Sequence, residues 1–397
     1  MFKKLAALCL VIFIGLWAGI SCAESSLVAS NNRLFYDLTQ QGFSKYVNGQ
    51  KYRVAEPNRS LRGDGDNFYL LFTDPATGTI NSYLQTADNG LLKPAKSMAS
   101  GQGASSIAVA ARNNWIYVAN KLDHNILLFS LNFTDGSFKP LMTIPLGQSV
   151  IPAKMIINFQ ETFLYILDSN SHEIVEYAIT QNGSLKLIGK VSTGDSPTDL
   201  MFDPTNQWVF VTNTDDKSIS IYRVDMSMGT LSLSSTVQTE EPPVDITFDA
   251  TGQYAYVTTQ YPDTQKDQVF AYRWSNETLT SIDGAIAGMD PQALSLDPVT
   301  NTLYVADSGN SQLSEYKFTG PGQLKLVGST QTGQQPSILM LAPPLDNIRY
   351  LYVADADSQA ISIYRENLDT GALTFLTQTN IGSNPADMTM IGEVIKR

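Results

Sequence analysis

Cysteine is missing from all but the first few residues of this chain. Cys9 and Cys22 are the only two in 397 residues, and both fall in the leader described below. With that leader gone, no disulfide, thiolate nucleophile or cysteine metal site is available, and stability has to come from packing. Histidine is as scarce, with only His124 and His172. Arginine in the repeating part of the chain is limited to Arg112, Arg223, Arg273, Arg349 and Arg365, so a phosphorylated or carboxylated ligand has few guanidinium clamps to meet. No Gly-rich phosphate loop, Gly-x-Ser-x-Gly elbow or HExxH pair occurs. Positive charge is also in deficit. The formal charge is −12, and losing Lys3 and Lys4 with the leader makes it −14. A chain this acidic repels phosphate backbones and anionic lipid, which argues against nucleic acid and membrane surfaces as partners. Acidity also serves simply to keep an exported protein in solution.

Long apolar runs are absent apart from one. Met1-Phe2-Lys3-Lys4 leads into the apolar stretch from Leu5 to Ile20, with the small residues Ser21 and Ala23 at its exit. This is the pattern of a secretory signal cleaved after Ala23, and the run is short for a transmembrane anchor. The expectation is an exported protein, periplasmic or extracellular, with no membrane span once residues 1–23 are removed. Cys22 offers an alternative, a lipid-anchored form, although Gly19 stands where such signals usually carry an aliphatic residue. Residues 24–66 are polar and match no repeat, and are read as an extension packed on the outside or partly disordered. Within them Asp64 and Asp66 lack the other ligands of a calcium loop.

What the chain has in abundance is repetition. Thr302-Leu303-Tyr304-Val305-Ala306-Asp307 returns in variants such as Trp115 to Asn120, Phe163 to Asp168, Trp208 to Asn213, Tyr254 to Thr259 and Tyr350 to Asp355. From Leu71 through Tyr117, Tyr165, Phe210, Tyr256, Tyr304 and Tyr352 the steps are 46, 48, 45, 46, 48 and 48 residues, a period in the range of propellers and solenoids. Each period holds four short runs rich in β-branched and aromatic residues, bounded by Asp, Asn, Pro and Gly, which makes one propeller blade. Pro152, Pro197, Pro243, Pro291, Pro336 and Pro385 open the units, with Ala104 in that place once. A proline can begin a strand but not sit in its middle. The C-terminal Pro385 to Met390 is an opening strand without successors, and Tyr69 to about Ser97 supplies successors without an opening strand. Joined, they complete a seventh blade and leave no exposed edge. A solenoid would need caps and gives no reason for complementary ends. The expected fold is all-β: a single seven-bladed propeller over residues 67–397, four antiparallel strands per blade, closed by both termini, and monomeric.

The third strands Ile219-Ser220-Ile221-Tyr222 and Ile361-Ser362-Ile363-Tyr364, with the turns at 227–231 and 369–373, resemble the YVTN-repeat and lactonase-type seven-bladed propellers. The resemblance covers nearly all of the mature chain. It implies a superfamily that includes 6-phosphogluconolactonase-like hydrolases, carboxy-muconate lactonizing enzymes and exported propellers with binding roles. The His, Arg and Glu that act together in the muconate branch have no match by local motif here.

Candidate site residues follow from geometry. Loops into the first strand and between the second and third share one face around the channel, where residues of different blades converge. Two positions after each boundary residue stand Ser106, Lys154, Asp199, Asp245, Ala293, Ile338 and Asp387, and the preceding loops add Asp195, Glu240, Glu241 and Asp290. Crowded carboxylates favour a cation, calcium or a cationic ligand, with Lys154 as partial neutraliser. Asp and Asn also cap turns with their own side chains. The acids ending each second strand, Asp74, Asn120, Asp168, Asn213, Asp307 and Asp355, recur too evenly to make one site and are read as structural. His124 and His172 occupy matching loop positions on adjacent blades, where the others carry Gly78, Lys217, Asp263, Ser311 and Gln359, and they are the candidate general bases. The leading expectation is a binding module for a small molecule or protein at an acidic channel mouth, with no cofactor or bound metal beyond a calcium ion. The alternatives are a lactone hydrolase or cycloisomerase, and an envelope scaffold.

Overall fold

The structure is a computed structural model. It describes residues 67–86, 88–260, 268–342 and 348–392 in full, and the backbone of 33–38, 44–47, 50–53 and 393–395. The leader with Cys22, the Asp64/Asp66 turn and Asp263 lie outside the described residues.

Each repeat folds into a four-stranded antiparallel sheet. In blade 2, Pro152–Ile157, Phe163–Asp168, Glu173–Ile179 and Leu185–Ser192 pair in chain order from the channel outward. The second strand is covered on both faces, which is why it reads as a continuous apolar run instead of an alternation. The fourth strand, at the rim, alternates half-buried with exposed positions. Blade 1 spans 104–145, blade 3 197–238, blade 4 243–286, blade 5 291–331 and blade 6 336–380. Blade 7 joins Met388–Ile395 to Asn67–Asp74, Thr79–Gln85 and Leu92–Ala99, with Met388 opposite Phe72 and Glu393 opposite Asn67. The closure expected from the complementary ends is therefore the closure found. On its other edge Met388–Ile395 pairs with Arg33–Leu38, the first strand of an antiparallel meander continued by Ser44–Val47 and Gln50–Arg53. Among the described residues helix is confined to two single 3-10 turns, and no helix is long and apolar enough to cross a membrane.

The core is divided among the wedges between blades, one apolar cluster for each neighbouring pair. The repeated tyrosines stitch these wedges. Tyr117, Tyr165, Tyr304 and Tyr352 each donate the phenolic hydrogen to the carbonyl of a turn glycine on the next blade, Gly183, Gly229, Gly371 and Gly90, at 2.6–2.9 Å. Tyr222, Tyr316 and Tyr364 of the third strands donate backward to Ser192, Ile286 and Gln331 carbonyls. Burying a tyrosine at the wedge requires a partner for its hydroxyl, and the turn carbonyl supplies it.

One local irregularity positions the channel residues. Pro152 pairs with Asp168, but Lys154 pairs with Leu167, so one residue is extra in the inner strand. The same slip follows Ala104, Pro197, Pro291 and Pro336. A bulge of this kind re-aims the following side chain, and it recurs at the same height around the channel.

Candidate functional site

The bulge sets Ser106, Lys154, Asp199, Ala293 and Ile338 at one level of the channel, Asp245 and Asp387 stand at the equivalent places of blades 4 and 7, and most of the seven are joined to a neighbour. Ser106 Oγ donates to Asp387 Oδ2 at 2.9 Å and accepts the Met155 N–H at 3.0 Å. Asp387 also accepts the N–H groups of Ile107, at 2.8 Å, and of Met388, at 2.9 Å. Lys154 Nζ lies 3.4 Å from Asp199 Oδ1. Asp245 accepts the Ile246 N–H at 2.8 Å and the Leu294 N–H at 3.0 Å, the latter reaching across to blade 5. The carboxylates thus bond N–H groups on the open channel edge of the inner strands, donors that a closed sheet would otherwise leave unpaired. Ala293 and Ile338 interrupt the ring, so one side of the channel is polar and the other apolar.

Electrostatics make this ring uneven. Burial opposes the charge on Lys154, but Asp199, Asp387 and Asp245 together outweigh it and hold the ammonium above the usual lysine range. Asp245 moves in the opposite sense. Burial first, and then the negative charge and hydrogen bond of Asp199, push its carboxyl well above the ordinary value, with Lys154 pulling weakly the other way. Asp199 is 4% exposed, and its raised neighbour Asp245 favours the protonated form beside the Lys154 ammonium. Next to them a small pocket opens in the channel, lined by Lys154 and Asp387 with Val109, Ile156, Met201 and Met340 among its apolar walls.

The other candidates are not part of this ring. Asp195 is exposed, and its Oδ1 lies 3.0 Å from His172 Nδ1. Glu240 is exposed, and Glu241 pairs with Lys217 at 3.3 Å. Asp290 accepts hydrogen bonds from Gln292 and Ser308. These four stand on the loops of the same face. His124 donates Nδ1–H to the Val150 carbonyl at 3.0 Å, and neither histidine bonds a ring residue. Both sit at positive φ, 50° and 52°, as do Gly78, Lys217, Ser311 and Gln359 in other blades, so the turn dictates their placement. The acids that end second strands are structural as expected: Asp168, Asn213 and Asp307 accept the N–H groups of Ile151, Gly194 and Gly288. Among the described residues no group of three or more His, Asp or Glu could hold a metal ion.

One polar cluster had no counterpart in the sequence reading. At the opposite end of the blades, between blades 5 and 6, Arg349, Asp297 and Glu366 are fully buried, and Arg349 pairs with Asp297. The Tyr304 hydroxyl lies 2.8 Å from Glu366 Oε1, Thr300 donates to the same oxygen at 2.9 Å, and Lys317 bonds the Thr300 carbonyl. Burial, then the hydrogen bond and charge of Asp297, push Glu366 up to about 8.

With this geometry in hand, known proteins give a consistent picture. A family model described as "Lactonase, 7-bladed beta-propeller" matches residues 60–248 and 243–390. A 6-phosphogluconolactonase of Bacillus subtilis is 26% identical over 195 residues, 46% of this chain and 54% of that protein. The chain spans about half the length of the curated relatives it matches most fully. A putative 6-phosphogluconolactonase from Bacteroides fragilis superposes with a TM-score of 0.71 at 16% identity, over 82% of this chain and 98% of that one. The periplasmic gluconolactonase of Pseudomonas aeruginosa does so with a TM-score of 0.70 at 18% identity, over 82% and 99%. At these identities the two structures bear on the fold.

Proposed function

This chain belongs to the seven-bladed lactonase β-propeller family, and from that premise we propose that it is a lactone hydrolase acting at the polar ring. The observation that carries the reading is the placement of Lys154, which lines the channel pocket, 3.4 Å from Asp199, with Asp245 against Asp199. Ring opening of a lactone adds water to the carbonyl carbon, builds an oxyanion and breaks the ring C–O bond as the ring oxygen takes up a proton. The product is a hydroxy acid. Lys154 supplies the fixed positive charge for the oxyanion. Asp199, paired with Lys154, takes the proton from water, and Asp245, whose burial favours the acid form, gives one to the leaving ring oxygen. Transfer of the proton from Asp199 to Asp245 restores the starting state. Ser106 and Asp387 hold the strand edges in place and act as positioning residues.

This reading replaces the histidines as acid and base, because each stands on an outer loop, bonded through Nδ1 to the Val150 carbonyl or to Asp195, and neither bonds a residue of the ring. The binding-module reading keeps one observation in its favour: both oxygens of Asp245 and of Asp387 already accept backbone N–H groups. The deciding assay is hydrolysis of a panel of sugar and homoserine lactones, measured above the spontaneous rate, by the mature chain and by Lys154→Met, Asp199→Asn and Asp245→Asn. General acid–base groups contribute roughly 10²–10⁴-fold, so losses of that size in folded variants are expected. Turnover unchanged in all three variants would refute the assignment.

Export is part of the proposal, supported by Lys3-Lys4 and the apolar run that follows. N-terminal sequencing of protein recovered from the producing cell checks it. A start at residue 24 is expected, a lipid-blocked Cys22 would mean the anchored form, and an intact Met1 would sink the idea.

A further inference from the structure

We infer that the ring selects lactones bearing no phosphate or carboxylate substituent, a neutral polyhydroxy lactone being the class of substrate it fits. This rests on the hydrolase reading. The argument is a charge inventory of one end of the molecule. The ring holds one cation, Lys154, and three carboxyl groups, Asp199, Asp245 and Asp387. Even with one proton retained by Asp245, the ammonium is outnumbered, and Asp199 occupies its near side at 3.4 Å. It has enough positive potential for an oxyanion that appears transiently at its own nitrogen, but none left over for a second, permanent anion.

The surrounding face does not make up the difference. Lys217 is held by Glu241 at 3.3 Å, and Lys190, on a fourth strand, by Glu173 at 2.9 Å. Lys121 stands exposed on its turn, with Asp123 two residues on. Each arginine whose side chain is described stands at the far end of the blades: Arg112 follows an inner strand, Arg223, Arg273 and Arg365 face the first residues of second strands or their neighbours, and Arg349 is buried there. A phosphate is recognised by guanidinium forks, lysines or grouped backbone N–H donors. Here the ring's backbone donors Ile107, Met388, Ile246 and Leu294 are already bonded to carboxylates. Hydroxyl groups, by contrast, are donors, and the carboxylate rim offers acceptors, while the apolar walls beneath suit the carbon faces of a sugar-like ring.

The test compares glucono-δ-lactone with its 6-phosphorylated form, using the mature chain at low and high ionic strength and correcting for spontaneous opening. The expected result is at least tenfold higher kcat/KM for the neutral lactone at low salt, with the gap narrowing as salt screens the repulsion. The rim double variant Asp195→Lys, Glu240→Lys lies outside the ring. It should leave turnover of the neutral lactone unchanged and raise that of the phosphorylated one several-fold. Equal or better turnover of the phosphorylated lactone by the unaltered protein would overturn the inference while leaving the hydrolase reading intact. No acceleration of either lactone would sink the hydrolase reading, and the inference with it.

Discussion

Ser106 Oγ donates to Asp387 Oδ2 at 2.9 Å, joining residues 281 positions apart in the chain. One comes from the first complete blade and the other from the C-terminal strand that finishes the seventh, so the closing seam of the propeller runs through the polar ring. Asp387→Ala removes the acceptor of Ser106 and of the Ile107 N–H together. Stranding buried donors costs about 1–3 kcal/mol, so the variant should unfold at a clearly lower urea concentration, with Asp387→Asn falling in between. An unchanged midpoint for Asp387→Ala would mean that the seam is held elsewhere.

Lys154 is surrounded by Asp199, Asp245 and Asp387, which raise its pKa against the opposing effect of burial. A raised lysine stabilises the fold at every pH below the lysine's unfolded value and loses that contribution only in strong alkali, so ordinary titration leaves it in place. Lys154→Met removes the cation and leaves the carboxyls facing one another. Their pKa values then rise, and each folded-state proton held above the unfolded value makes stability fall as pH increases. The variant is expected to be near the parent in stability at pH 4 and progressively weaker toward pH 8. Thermal melts at several pH values measure this, and a constant offset would contradict it.

Glu366 gives a second pH prediction. Its carboxyl ionises near 4.5 in the unfolded chain but is pushed up to about 8 in the fold, by burial and by Asp297. Between those values folding takes up a proton, so stability declines as pH rises through that window. Asp297 is shifted the other way: burial opposes its charge, but the Glu366 hydrogen bond and the Arg349 guanidinium outweigh it. Its contribution is lost only below its ordinary range and does not overlap. Tyr304 and Lys317 complete the surroundings of the pair. Glu366→Gln keeps a donor for Asp297 and cannot ionise, so its denaturation midpoint should be flatter from pH 5 to 8 than the parent's. Parallel curves would rule out a proton held by Glu366 in that window.

The difference between these two clusters explains what was legible in the sequence. Lys154, Asp199, Asp245 and Asp387 were found because a boundary proline fixes the register and the bulge after it recurs in blade after blade. Tyr117, Tyr165, Tyr304 and Tyr352 announced the period because they share one task, a hydrogen bond to the next turn, while Leu71 and Phe210 keep the apolar place without it. Arg349, Asp297 and Glu366 announced nothing. They come from a second strand, an inner strand and a third strand; Asp297 recurs as Asp203 and Asp249 in other blades, Arg349 and Glu366 stand where the others carry uncharged residues, and only the wedge between blades 5 and 6 brings the three together. His124 and His172 share a position for a different reason, a turn that needs positive φ in every blade where it is described.

Tyr352 tests whether the seam is costlier to disturb than an internal wedge. Its hydroxyl donates to the Gly90 carbonyl at 2.6 Å and accepts from Gln85 Nε2 at 2.6 Å, so two buried groups of blade 7 depend on one oxygen. Tyr117, between blades 1 and 2, donates to the Gly183 carbonyl at 2.9 Å. Replacing either by Phe keeps the ring and its packing and deletes only the oxygen. Each stranded buried group costs about 1–3 kcal/mol, so Tyr352→Phe should destabilise more than Tyr117→Phe, by on the order of 1 kcal/mol. The gap should also appear as faster local opening, because blade 7 has no covalent link between its inner strand and its other three. Amide hydrogen exchange in Met388–Ile395 should accelerate in Tyr352→Phe and not in Tyr117→Phe. Equal losses with no change at that strand would show that the closing blade is held by its ladder alone.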